Sequence, residues 1–194
     1  MREIPVLESE RLRIRPFLNT DLPYLFRIKQ NIGWVDAEKT AEQQLLDEAN
    51  YLEWAVRNER QLAQLGQPPY GDRAVVLKET DELVGSVGLV PCVDVYGQLP
   101  SLGGTANCLA TAEVGLLWLI DTEHQGKGYA TEAAQTLIDY AFGPMQLQRL
   151  IATTEYDNLA SQAVMAKLGM TVEQNPFPDP PWLQVVGILE NNHL

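Results

Sequence analysis

The chain has 194 residues, 45% hydrophobic and 21% charged, which is the length and make-up of one ordinary globular domain with a full core. That composition excludes a disordered chain, a collagen-like repeat and a disulfide miniprotein. Lys and Arg number 14 against 26 Asp and Glu, a formal net charge of −12, which argues against nucleic acid as the main partner and suits a cationic, amine-bearing substrate.

Residues 7–17 open the chain as a half-buried strand: Arg11-Leu12-Arg13-Ile14-Arg15 alternates polar with apolar, and Pro16 stops it. Asn19-Thr20-Asp21 starts a helix that tolerates Pro23 in its first turn and carries Leu22, Leu25 and Phe26 on its apolar face. Thr40 and Gln43 fit a capping box. Leu45, Ala49, Leu52 and Val56 recur at helical spacing, which predicts a helix over 40–65, broken at most once and ended by Gly66-Gln67-Pro68-Pro69. Residues 73–78 and 83–90 are β-rich and flank the turn Glu79-Thr80-Asp81-Glu82, the pattern of an antiparallel hairpin. Residues 96–111, rich in Gly, Ser, Thr and Ala, read as a long loop, either functional or a tolerated insertion.

Residues 113–120 are apolar on both faces, as a central strand is. Ala130, Ala133, Ala134, Leu137, Ile138 and Ala141 form one helical stripe, closed by Gly143-Pro144. A strand over 150–154 follows. Asp157 or Asn158 then caps a helix carrying Ala160, Ala163, Val164 and Leu168, which Gly169 ends. Residues 170–173 form a strand, the prolines of 175–181 a loop, and 182–189 the last strand. The order β-α-α-β-β-β-α-β-α-β-β is an α/β (α+β) arrangement with a mostly antiparallel sheet.

No apolar run reaches the ~18–20 residues of a membrane span. Met1-Arg2-Glu3-Ile4-Pro5 leads into no apolar segment of a signal peptide. The expectation is a single domain over 1–194 in the cytoplasm, with no membrane and no nucleic-acid partner. Cys92, Cys108, His124 and His193 are the chain's only Cys and His residues, with no CxxC and no HExxH. No metal is therefore expected, and a Ser-His-Asp site has few places to be. Both cysteines are expected free and buried as small hydrophobes. His124 is expected on a solvent-exposed flank. Trp34, Trp54 and Tyr70 either pack in the core or line an acceptor pocket.

Gln125-Gly126-Lys127-Gly128-Tyr129-Ala130 lies between the central strand and the alanine-rich helix. Glycines there allow a sharp turn and close approach of a ligand. The first N–H groups of the helix have no partners within it, and its dipole adds partial positive charge, so a phosphate or pyrophosphate is the natural guest. A P-loop would need GxxxxGK[ST], which is absent. A dinucleotide fingerprint keeps only Gly126 and Gly128, with Thr131 at its third position, although Glu155 at the next strand's end could act as the ribose acid. A ligand-free glycine turn is the bland alternative.

Gln-x-x-Gly-x-Ala (Gln125, Gly128, Ala130) resembles the pyrophosphate-binding signature of the GNAT superfamily of N-acetyltransferases. Glu113-Val114-Gly115-Leu116 looks like that family's central strand. Asn158-Leu159-Ala160-Ser161 followed by Lys167-Leu168-Gly169-Met170 looks like its second motif. The opening Leu7-Glu8-Ser9-Glu10-Arg11-Leu12-Arg13-Ile14-Arg15 is similar to the subgroup that acetylates ribosomal-protein N-termini. The resemblance implies a mixed, mostly antiparallel sheet of about six to seven strands flanked by about four helices, with central strands splayed to form an acetyl-CoA cleft.

It also implies a set of roles. Acetyl-CoA would lay its pyrophosphate on the N–H groups of Gly126, Lys127, Gly128, Tyr129 and Ala130, with Thr131 adding its hydroxyl or capping its own helix. The pantetheine arm would pair with the edge of Trp118-Leu119-Ile120, and a strand N–H would polarise the carbonyl. Asn158 would hydrogen-bond the pantetheine amide or serve as a plain N-cap. Glu113, through water, or Glu173 would take the proton of the attacking ammonium; each has a structural alternative, as a sheet-end charge and as a surface residue. Ser161, or Tyr156 in its place, would protonate the leaving thiolate; Ser161 alternatively packs or caps. The implied activity is direct acetyl transfer to a primary amine, a protein N-terminus or a small amine, by a monomer or homodimer. A non-catalytic acyl-CoA-binding module and an NAD-dependent enzyme are the alternatives.

Overall fold

The structure is a computed structural model that describes residues 5–68 and 70–191. Pro69 as a helix stop, His193, and the leader reading of the first four residues lie outside the described residues. The described chain divides into two compact units. One is built from residues up to 88 with 117–137, the other from 89–116 with the residues from 138 onward.

In the first unit the single strand expected over 7–17 is two strands, β1 (Leu7–Glu8) and β2 (Leu12–Arg15). They pair antiparallel, Leu7 opposite Ile14 and Glu8 opposite Arg13. Ser9 causes the break. Its hydroxyl accepts from Leu12 N at 3.1 Å while its own N–H donates to the Leu12 carbonyl at 3.0 Å, a local bond that competes with a straight strand. Arg11 is left exposed at the tip of this turn.

β2 continues against β3 (Gly71–Leu77), Leu12 opposite Leu77 and Arg15 opposite Ala74. Asp21, 4% exposed, fixes where α1 (Leu22–Asn31) begins. It accepts from Arg15 Nη1 and Nη2 at 2.7 and 2.9 Å and from Leu18 N at 2.8 Å. The capping box forms as expected at α2 (Ala41–Gln64), with Gln43 N on Thr40 Oγ1 at 3.3 Å and Thr40 N on Gln43 Oε1 at 2.9 Å. The helix runs unbroken. Its buried face passes through Glu48, Leu52 and Ala63, and Leu45 is exposed. Phe17, Leu25, Ile28, Leu52, Ala74, Val76, Leu83 and Leu119 form one core cluster. The strand order here is β1-β2-β3-β4-β5, where β4 is Leu83–Asp94 and β5 is Thr111–Ile120. The helix α3 (Tyr129–Phe142) follows β5.

The second unit holds the ends of β4 and β5 that the first does not, with β6 (Arg149–Thr154), α4 (Leu159–Lys167), β7 (Thr171–Gln174) and β8 (Val185–Glu190). The order is β4-β5-β6-β8-β7. β5 and β6 are parallel, with Gly115 opposite Ile151; β8 is antiparallel to both β6 and β7. The loop expected over 96–111 holds two 3-10 turns, Tyr96–Gln98 and Pro100–Leu102. Tyr96 and Leu99 pack with Ile151, Leu183, Val186 and Ile188, so two apolar residues in a polar-looking stretch suffice to seat it. The last strand starts at Val185, three residues later than expected, because Trp182 is exposed and donates its indole N–H to Asp94 Oδ2 at 2.8 Å. Cys92 and Cys108 are free but half-buried rather than core. The described residues hold eight strands and four α-helices, the extra strand coming from the split at Ser9. No helix among the described residues is long and apolar enough to cross a membrane.

Candidate active site

The glycine-rich segment begins where β5 ends. Asp121, fully buried, anchors that end: its N–H donates to Val84 O at 2.9 Å, and Asn31 Nδ2 donates to its Oδ1 at 3.0 Å. Gln125 folds its side chain back and donates from Nε2 to the Ile120 carbonyl at 2.9 Å. It therefore braces the loop. Gly126 and Gly128 have φ of +74° and +84°, the left-handed region that side chains disfavour. A Cβ on Gly126 would meet nothing within 4 Å, so backbone conformation alone demands glycine there. The first bond of α3 is Glu132 N to Gly128 O at 3.0 Å. The N–H groups before it have no intrahelical carbonyl to meet. These N–H groups form a cradle that could hold an anion, and their number suits the two phosphates of a pyrophosphate.

A second layer of the cradle has no signal in the local sequence. Arg11, at the β1–β2 turn, donates from Nη1 to the Lys127 carbonyl at 3.0 Å and from Nε to Glu132 Oε2 at 2.7 Å. Its guanidinium carbon sits 4.6 Å from the Tyr129 ring centre, a cation–π contact. Glu132 Oε1 accepts from Ser9 Oγ at 2.7 Å and from Arg11 N at 2.9 Å. Burial pulls the Glu132 carboxyl upward, but the bonds from Ser9 and Arg11 outweigh it and hold the group below the ordinary carboxylate range. The alternation around Arg11 marks it only as a strand residue.

His124 is not exposed as expected. Its side chain is 11% exposed, tucked between Glu82, whose Oε2 is 3.7 Å from Nε2, and the Tyr129 ring at 6.4 Å. Leu119 and Ile120 are buried and Leu119 belongs to the core cluster, so these residues could offer a ligand backbone rather than side chain; Trp118 is half-buried. Thr131, in the first turn of α3, is half-buried too. Trp34 and Trp54 are exposed by more than half, which overturns core packing for both. Beside them Lys29 pairs with Glu48 at 2.8 Å and lies over Tyr51, whose hydroxyl donates to Asp72. Burial raises both Tyr51 and Asp72.

The remaining candidates belong to the second unit, at different levels of its sheet. Glu113 on β5 is gripped by Arg149, with Nη2 on Oε1 at 2.7 Å and Nε on Oε2 at 3.0 Å. Arg149 also reaches Glu190 at 3.1 Å. Asn158 is the N-cap of α4, its Oδ1 accepting from Ser161 N at 3.1 Å. Glu173 on β7 is opposite Val186, itself opposite Thr153 near the C-terminal end of β6. Glu173 Oε2 accepts from Ser101 N at 3.2 Å. Arg149 and Thr153 are separated by about 13 Å of strand. Glu173 thus shares with Asn158 and Ser161 the end of β6 from which α4 departs, whereas Glu113 is level with the other end. Tyr156 is half-exposed, its hydroxyl 3.5 Å from the Asn175 carbonyl.

An open α/β sheet with a glycine-rich turn at the start of a helix after a central strand is the arrangement of proteins that bind a nucleotide cofactor by its phosphates. The chain belongs to the acetyltransferase (GNAT) domain family, whose model matches residues 11–171. Over 63 residues it is 46% identical to the uncharacterized N-acetyltransferase YnaD of Bacillus subtilis, a match that spans 32% of this chain and 36% of YnaD. It is 27% identical over 192 residues to the uncharacterized N-acetyltransferase YjdG of the same organism, covering 93% of this chain and 98% of that protein. The crystal structure of a GNAT-family acetyltransferase from Bacillus anthracis superposes with a TM-score of 0.66, covering 96% of this chain and 99% of that one at 23% identity, a likeness of fold. The fold is the GNAT fold, and the chain is an acyltransferase of the N-acetyltransferase class. The family uses acetyl-CoA, and the cradle at Gly126 and Gly128 fits that donor's pyrophosphate. The family match displaces the NAD-dependent alternative.

Proposed function

We propose that the chain transfers the acetyl group of acetyl-CoA directly to a primary amine, of a small molecule or a protein N-terminus, as one cytoplasmic catalytic domain. The observation that carries this reading is the pair of left-handed glycines at the start of α3, which leaves a row of N–H donors for a pyrophosphate. The net charge of −12 supports a cationic acceptor by steering it inward.

In this reading the neutral amine attacks the thioester carbonyl, the C–N bond forms and the C–S bond breaks. The backbone of Trp118, Leu119 and Ile120 holds the pantetheine arm and polarises the carbonyl. Asn158 bonds the pantetheine amide, and Ser161 returns a proton to the departing thiolate. The ammonium proton leaves through water to Glu173. We prefer Glu173 to Glu113 because both Glu113 oxygens are occupied by Arg149, and that fork would have to open before a proton could be taken.

Calorimetric titration with acetyl-CoA, with NAD as control, tests the donor. Binding with Kd between ~1 μM and ~1 mM is expected, by analogy with the usual substrate range. A panel of amines with detection of released thiol then tests transfer. Binding without turnover of any amine or N-terminal peptide would favour a sensing module. Heat with NAD and none with acetyl-CoA would overturn the reading.

A further inference from the structure

We propose that Arg11 is the positioning residue of the pyrophosphate cradle, a charge-compensating clamp that makes the cradle acceptable to an anion. The inference rests on the acetyl-CoA reading above and adds to it a residue 115 positions upstream of Gly126.

A cradle built at the start of α3 has two features that repel phosphate. One is the Glu132 carboxylate in the first turn, which suits the helix dipole but opposes an incoming anion. The other is the Lys127 carbonyl, an acceptor set between the two left-handed glycines. Arg11 answers both. Its Nε and Nη2 cover Glu132 Oε2 at 2.7 and 2.5 Å, and its Nη1 ties the Lys127 carbonyl at 3.0 Å. With that oxygen tied to Arg11, the loop's N–H groups are left for the ligand.

The geometry holds Arg11 from several sides. Its backbone N–H donates to Glu132 Oε1, the oxygen that Ser9 also bonds, so the β1–β2 turn and α3 share one carboxylate. The Tyr129 ring supports the flat face of the guanidinium. Nη2 lies 3.4 Å from where a Cβ on Gly128 would stand, at the wall of the cradle itself. The side chain is still 44% exposed, so its outer edge faces solvent beside the loop. A planar fork suits this work, because it meets a carboxylate and a carbonyl at once where a Lys ammonium offers only a point charge.

A charge clamp and a mere strut differ in one readout. If Arg11 acts by cancelling Glu132, Arg11→Ala leaves a bare carboxylate beside the pyrophosphate, and removing that carboxylate restores binding. Titrating the full-length wild type, Arg11→Ala, Arg11→Lys, Glu132→Gln and the double variant with acetyl-CoA decides the matter, each checked for folding by thermal unfolding. Arg11→Ala is expected to weaken acetyl-CoA roughly tenfold or more, from one uncancelled charge near the anion. Arg11→Lys should fall between it and wild type. Glu132→Gln should bind at least as tightly as wild type, and Arg11→Ala/Glu132→Gln should recover most of the loss. Unchanged affinity in Arg11→Ala, or a double variant no better than Arg11→Ala, would overturn the clamp while leaving the acetyl-CoA reading intact. Wild type that fails to bind acetyl-CoA would overturn both.

Discussion

The guanidinium of Arg149 meets the carboxylate of Glu113 fork to fork, with both oxygens engaged at 2.7 and 3.0 Å and the carboxylate side chain only 10% exposed. Such a pair joins β5 to β6 near their parallel register point at Gly115 and Ile151, and it gives Glu113 a structural use. Glu113→Gln should therefore cost about 1–3 kcal/mol of stability through the half-unpaired Arg149, with kcat kept within about threefold. Glu173→Gln should do the reverse, keeping the melting temperature and lowering kcat on the order of a hundredfold, as loss of a general base does. Steady-state kinetics beside thermal melts reads both. A large kcat loss in Glu113→Gln alone would return the base to β5.

Gly128 stands at φ +84° with Arg11 Nη2 3.4 Å from its absent Cβ. Gly128→Asp should abolish acetyl-CoA binding by setting a carboxylate in the cradle, while the chain still folds. Backbone strain alone would weaken binding too, so Gly128→Asn is the control, since Asn tolerates positive φ and carries no charge. Calorimetry should show the Asn variant weakened and the Asp variant silent. Equal affinity in all three would remove the loop from the site.

What could be read in advance was what neighbouring residues decide. Thr40 and Gln43 sit three apart, and their capping box needed no knowledge of the rest of the chain. The same holds for Gln125, Gly128 and Ala130, whose spacing is itself the signal. Arg11 and Glu132 are 121 residues apart, and no local pattern announces that the first will neutralise the second. Ser9 broke a strand through one hydroxyl inside an otherwise perfect alternation. The stretch over 96–111 looked like loop by composition, yet Tyr96 and Leu99 were enough to bury part of it. Trp34 and Trp54 left two readings open, of which exposure removes core packing, because aromatic character alone does not say which face of a helix or turn meets water.

Glu132 also predicts acid behaviour. Its folded-state carboxyl lies below the ordinary value of 4.5, since Ser9 and Arg11 bond the charged form more strongly than burial disfavours it. The unfolded chain then binds the proton first, so this group's stabilisation is complete above the unfolded value and fades as pH falls through the folded one. Glu132→Gln should be less stable than wild type at pH 6, and the gap should close as the buffer is taken below pH 4. Urea unfolding at the two pH values measures it. A gap that stays constant would mean that Glu132 contributes only uncharged contacts.

Asp72 should show the opposite sign. Burial raises its carboxyl above the ordinary 3.8, against the opposing pull of the Tyr51 bond and of Lys29, and its Oδ1 has no hydrogen-bond partner among the described residues. Here the folded chain holds the proton longer than the unfolded one. Stability is complete below the unfolded value, falls as pH rises through the raised folded value, and stays reduced above it. Asp72→Asn removes the titration while its side-chain oxygen can still accept from the Tyr51 hydroxyl. The variant should gain on wild type steadily from pH 3 to pH 7, ending about 2–4 °C higher in melting temperature for each kcal/mol of relief. If wild type and variant melt in parallel across that range, the buried carboxylate is already compensated by the Lys29 ammonium, which pairs with Glu48 beside it. Lys29→Met should then destabilise wild type more than it destabilises the Asp72→Asn variant, because only a charged Asp72 needs the ammonium.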